Sequence, residues 1–161
     1  MLVKLTTLFK GGFFMDNMNL VFQMNKFVGD LHVFKTKVHN FHWNLVGEHF
    51  FVIHPMLDGI MSEIDEQIDS VAERLLMAGH RPHASLDVYL KHTVLSEVES
   101  KPYCAKEAVN LMLGDFKVLL AEINIIMKLA EKEDNQATLS LMTDIAALYQ
   151  KHIWMFGAWL A

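Results

Sequence analysis

A single cysteine, Cys104, occurs in the 161 residues of this chain, so no intrachain disulfide framework can hold it together. A reducing, cytosolic setting is the expected default. Long apolar runs are missing too. The strongest, Val118 to Met127, is interrupted by Glu122, so no membrane-spanning segment is expected. Met1–Phe14 has too short an apolar run for a secretory signal and no small-residue cleavage site. Basic clusters are absent: the formal net charge is −5 and the lysines and arginines are scattered. Non-specific nucleic-acid binding draws on basic patches that displace counterions, so direct DNA binding is disfavoured. The only prolines are Pro55, Pro82 and Pro102, which leaves long stretches free to be helical. Repeats and low-complexity tracts are absent.

The length suits one domain with a sizeable core. An apolar fraction of 52% is slightly above the ordinary globular level, which implies extra apolar surface to bury in an oligomer. Lys10-Gly11-Gly12 lies just before Met15, and Lys-Gly-Gly is encodable by a purine-rich run resembling a bacterial ribosome-binding sequence. The expectation is that translation starts at Met15. The chain then divides into a poorly ordered or over-called extension, 1–14, and a domain, 15–161.

Apolar periodicity predicts four long helices. The first runs from about Asp16, a good N-cap, to Val46, before Gly47. It carries Leu20, Phe27, Leu31, Phe34, Val38 and Leu45 at steps of three, four and seven. The second runs from about Glu48 to Ala78, the third from about Cys104 to Lys132, and the fourth from about Asn135 to Trp159. Within the long middle connection, Ser85–Leu90 reads as a short capped helix. Tight joints at Gly47 and Asp134 make each flanking pair antiparallel, and the middle connection can travel the length of the bundle. The fold class is therefore all-α, a ferritin-like four-helix bundle with one long crossover carrying a short extra helix.

The second helix carries an unusual face. His54 and Asp58 are four apart, as are Asp69 and Glu73. At ~100° per residue all four fall within a stripe about 100° wide. Three carboxylates and an imidazole suit iron, zinc or manganese better than magnesium or calcium. On spacing alone, a solvated face and a metal site both remain open. The pairs lie about 22 Å apart along the axis, too far for one ion to touch both on one chain. An antiparallel partner helix, related by a two-fold near Glu63–Ile64, would set His54 and Asp58 of one chain against Glu73 and Asp69 of the other. His42 on the first helix lies about as far before the Gly47 turn as His54 lies after it, so the two share a height. Asp65 lies on the same stripe opposite Ser62 of the partner subunit, and is read as a hydrogen-bonded interface residue rather than a ligand.

These residues stand in longer motifs. His39-Asn40-Phe41-His42-Trp43-Asn44 is followed by Gly47, Phe50-Phe51, His54 and Asp58. Asp69-Ser70-Val71-Ala72-Glu73-Arg74 and Lys151-His152-Ile153-Trp154-Met155-Phe156 come later. In these the chain resembles the Dps family, the miniferritins named as DNA-binding proteins of starved cells, from about Asn17 to its end. The resemblance implies a homo-dodecamer built from two-fold dimers, with ferroxidase sites between subunits. It implies metal ligands at His42, His54 and Asp58 of one chain and Asp69 and Glu73 of the other. It further implies Fe(II) as substrate, oxidised preferentially by hydrogen peroxide, and a stored Fe(III) mineral that protects the cell from oxidative damage.

Some features depart from the family or stay open. The region corresponding to the family's acidic pore reads Glu131-Lys132-Glu133-Asp134-Asn135-Gln136, with Ser140 after it. Gln136 and Ser140 replace carboxylates there, so iron entry is expected to be slower or differently routed. Only Lys4 and Lys10 stand where DNA-binding members carry a lysine-rich tail. A nucleoid-compacting DNA-binding protein is the alternative function. A self-contained di-iron bundle would need Glu-x-x-His motifs, and none occurs. Trp43 reads equally as an interface aromatic or a radical quencher, and His39 as a support for His42 or a packing residue. His80 and His83 read as solvated loop residues, and the 11 methionines as core filling.

Overall fold

The computed structural model describes the backbone from Gly11 to Ala161 and side chains from Asn19 onward. Its elements are α1 (Gly11–Asn44), β1 (Leu45–Val46), α2 (Phe50–Met77), α3 (Leu86–His92), β2 (Tyr103–Cys104), α4 (Ala105–Lys132) and α5 (Gln136–Leu160). The long helices α1, α2, α4 and α5 form the all-α, ferritin-like bundle, with α1 packed on α2 and α4, and α5 on α4. No helix among the described residues is long and apolar enough to cross a membrane.

The apolar stripe of α1 is core throughout: Leu20, Phe27, Leu31, Phe34 and Val38 are all buried. Phe34 meets Phe116 of α4 edge-on, and Phe116 in turn meets Tyr149 of α5, each at a ring separation of 5.0 Å. The bundle is thus keyed by aromatic contacts running from α1 to α5.

The helix ends differ from the periodicity in instructive ways. Asp16 is not an N-cap, because α1 already includes Gly11–Met15. Extending an existing helix costs less than nucleating one, and no proline stops it there. Residues 1–10 of the expected extension lie outside the described residues. At the other end, Leu45 and Val46 leave the helix and pair in parallel with Tyr103 and Cys104. Pro102 favours extended backbone just before this ladder. Gly47 then turns the chain at a φ of 84°, and His49 also has positive φ, so α2 starts at Phe50 rather than Glu48. Ser85 precedes α3 but its side chain makes no capping hydrogen bond. Asn135 does cap α5, accepting from the Thr138 amide at 3.2 Å.

The crossover is fastened to α1 by polar groups. Asp30 is fully buried and accepts from Thr93 Oγ1 (2.7 Å), the Val94 amide (2.9 Å) and Lys26 Nζ (3.0 Å). Buried Lys37 donates to Asp115 of α4 and to the Ser96 carbonyl. Tyr89 of α3 stacks on His32 at 4.5 Å and lies against Gly29, where an added Cβ would come within 3.2 Å of it. The absence of a side chain at Gly29 is what lets α3 approach α1.

Candidate metal centre

His42 lies in the last turn of α1, and His54 lies early in α2. The short turn between the helices brings them face to face. Their rings stack at 3.8 Å with an interplanar angle of 22°. The backbone contacts are reciprocal: His42 Nδ1 lies 3.2 Å from the His54 carbonyl, and His54 Nδ1 lies 3.0 Å from the His42 carbonyl. A carbonyl can only accept, so each Nδ1 is the protonated donor. Each Nε2 then keeps its lone pair for a metal. Phe50 lies parallel to His54 at 4.8 Å and completes a stack of three rings.

Asp58, one turn beyond His54, places Oδ1 3.5 Å from His42 Nε2. One ligand atom each from His42, His54 and Asp58 lies within 4.8 Å of the others. The imidazoles are half-buried and Asp58 is exposed, so the group opens outward from the bundle. Two nitrogen donors and a carboxylate oxygen at this separation match what a first-row dication requires.

Asp69 and Glu73 stand apart from this group. They are exposed and make no ion pair or side-chain hydrogen bond with any described residue. One chain therefore assembles three of the five sequence-derived candidates and leaves two carboxylates free. Nearby, Arg74 fixes the C-terminal end of α2, donating to Thr138 at 3.0 Å and Asn135 at 3.3 Å.

Three features escaped the sequence reading. Lys35 Nζ contacts both oxygens of Asp65, at 2.5 and 2.7 Å. Lys35 is seven residues before His42, a helical spacing that put it on the same face and was the available signal. Glu63 accepts from His152 at 2.6 Å, and Gln67 accepts from the buried Tyr149 hydroxyl at 2.6 Å. These last two contacts turn part of α2 toward α5. His39 stacks on Trp43 at 5.0 Å, and its pKa is lowered, first by burial and then by Lys35. In the region corresponding to the acidic pore, Gln136 donates to Asp134 at 3.1 Å.

Comparison with known proteins gives a consistent result. The Ferritin-like domain family matches residues 22–161. The chain is 35% identical over 138 residues to the DNA protection during starvation protein of Listeria innocua, covering 85% of this chain and 88% of that one. A Dps protein from Bacillus brevis superposes with a TM-score of 0.87 at 31% identity, covering 91% of this chain and 98% of that one. A Vibrio cholerae Dps protein, described as a member of a broad superfamily of ferritin-like diiron-carboxylate proteins, gives a TM-score of 0.87 at 28% identity, with 91% and 92% covered. Sequence, fold and donor arrangement agree, and the chain belongs to the Dps family of ferritin-like proteins.

Proposed function

We propose that this protein is a ferroxidase and iron store whose metal sites form between two subunits, with Fe(II) as substrate. The observation that carries this reading is the outward face of α2. Phe51, Asp58, Ser62, Asp65, Asp69, Glu73 and Leu76 are exposed along one stripe, with His54 half-buried beside them. A two-fold near Glu63–Ile64 maps this stripe onto itself. His54 meets Glu73, Asp58 meets Asp69, and Ser62 meets Asp65. The same operation sets Phe51, 90% exposed, against Leu76, 55% exposed. Apolar side chains thus meet at both ends of the face, flanking the metal-type residues. The axis is one of register: Ile64 itself is buried in its own bundle and Glu63 is held by His152.

The chemistry follows from the donor set. His42, His54 and Asp58 of one subunit hold iron with Asp69 and Glu73 of the partner subunit. Carboxylates favour Fe(III) over Fe(II) and so ease oxidation. Two ferrous ions each give one electron, and hydrogen peroxide accepts both and takes up two protons to leave water. Few protein ligands leave positions open for oxidant and water. A dodecamer assembled from such dimers keeps the ferric product inside, and the cytoplasm is the compartment where this protection acts.

The test is oxidation of Fe(II) by stoichiometric hydrogen peroxide, with assembly size recorded on the same sample. Rapid oxidation by the assembled protein is expected. A monomer oxidising iron at the full rate would refute the inter-subunit site.

A further inference from the structure

We infer that Lys35 determines where metal binds on the α2 face, by withholding Asp65 from it. The inference rests on the reading of that face as metal-binding.

Asp58, Asp65, Asp69 and Glu73 all point outward from α2. Asp65 lies one helical turn before Asp69, about 6 Å along the axis, a spacing at which two carboxylates can approach one cation. Under the proposed two-fold, the Asp65 residues of both chains flank the two-fold axis, about 4.5 Å apart along the helix direction. Left free, the two Asp65 carboxylates would offer a dication a further position between the two outer sites.

Asp65 is the one carboxylate of the four that is held by a lysine or arginine of its own chain. Lys35 Nζ reaches across from α1 and occupies both of its oxygens. The ammonium also repels an incoming dication at contact range. As an exposed pair, with side chains 27% and 56% accessible, it adds little to stability. Charge placement is the better account of it. The same face of α1 that supplies His42 at one end of the face supplies a fixed cation at its middle. Metal is thereby confined to the two ends, where His42 and His54 provide nitrogen donors.

The experiment counts Co(II) bound per chain in the assembled protein by equilibrium dialysis, for wild type, Lys35→Met, Asp65→Asn and the double variant. Methionine is an unbranched side chain close to lysine in length and removes the ammonium. The expected result is that Lys35→Met binds about one more Co(II) per pair of chains, the number a single site on a two-fold axis adds. The double variant and Asp65→Asn should return to the wild-type count, which assigns the extra ion to Asp65. A wild-type count in Lys35→Met overturns the role given to Lys35 while leaving the outer sites standing. No Co(II) binding by wild type overturns the metal-binding face itself.

Discussion

The proposed division of ligands between two chains has a numerical consequence. Asp58 and Asp69 are 11 residues apart on α2, about 16.5 Å along the axis, so no single ion can use both from one chain. Asp58→Asn and Asp69→Asn both replace an exposed side chain by one of the same shape, so neither should disturb folding. Each variant alone damages every site. When the two are co-expressed in equal amounts, about half of the two-fold pairs contain one chain of each kind. In such a pair one site carries both substitutions and the other carries neither. About a quarter of all sites should therefore be intact. The assay is the initial rate of peroxide-driven Fe(II) oxidation per assembled particle, followed by ferric absorbance. The co-expressed protein should regain about a quarter of the wild-type rate above the mean of the single variants. Co-expressed protein no more active than its parents would refute ligand sharing between chains. So would full activity in Asp69→Asn alone.

Other expectations concern stability and specificity. Gly29→Ala should lower unfolding free energy by about 1–3 kcal/mol in a urea titration, because its Cβ would press on Tyr89 at 3.2 Å. Lys37→Met should cost about 3–5 kcal/mol near neutral pH, because it leaves the buried Asp115 carboxylate without its cation. Burial raises the Asp115 pKa and Lys37 opposes that rise. A raised folded pKa contributes stability that is present below the unfolded value and lost as pH climbs through the folded one. Removing Lys37 enlarges the rise, so the deficit of Lys37→Met should be smaller at about pH 4 than at about pH 7. Tyr149→Phe should cost about 1 kcal/mol through loss of the hydrogen bond to Gln67, read by thermal or urea unfolding. In gel shifts at two salt concentrations the assembled protein should bind DNA weakly or not at all, in keeping with its net charge of −5.

Much of the architecture is written in local pattern. The α1 positions chosen by period, from Leu20 to Val38, are all buried, because a helix in a bundle turns its apolar stripe to the core. The α4–α5 joint at Asp134 and the long crossover were legible for the same reason, since loop length limits how neighbouring helices can run. On α2, the recurrence of an imidazole and carboxylates from His54 to Glu73 along one stripe was enough to mark the candidate face.

What stayed hidden depends on contacts between segments far apart in sequence. Nothing local to Leu45–Val46 announces a ladder with Tyr103–Cys104, and a two-residue strand has no period to detect. Asp30 and Lys37 look like surface charges until Thr93, Val94, Ser96 and Asp115 are brought over them. The stacking of His42 on His54, and the exchange of Nδ1 contacts with each other's carbonyl, depend on how the Gly47 turn sets two helices side by side. By itself the sequence determined which residues share a helical face, because 3.6 residues per turn is a property of the backbone. Only the tertiary structure decided which ring nitrogens remain free and that Lys35 closes on Asp65, because these depend on the distance between helices, which no single helix contains.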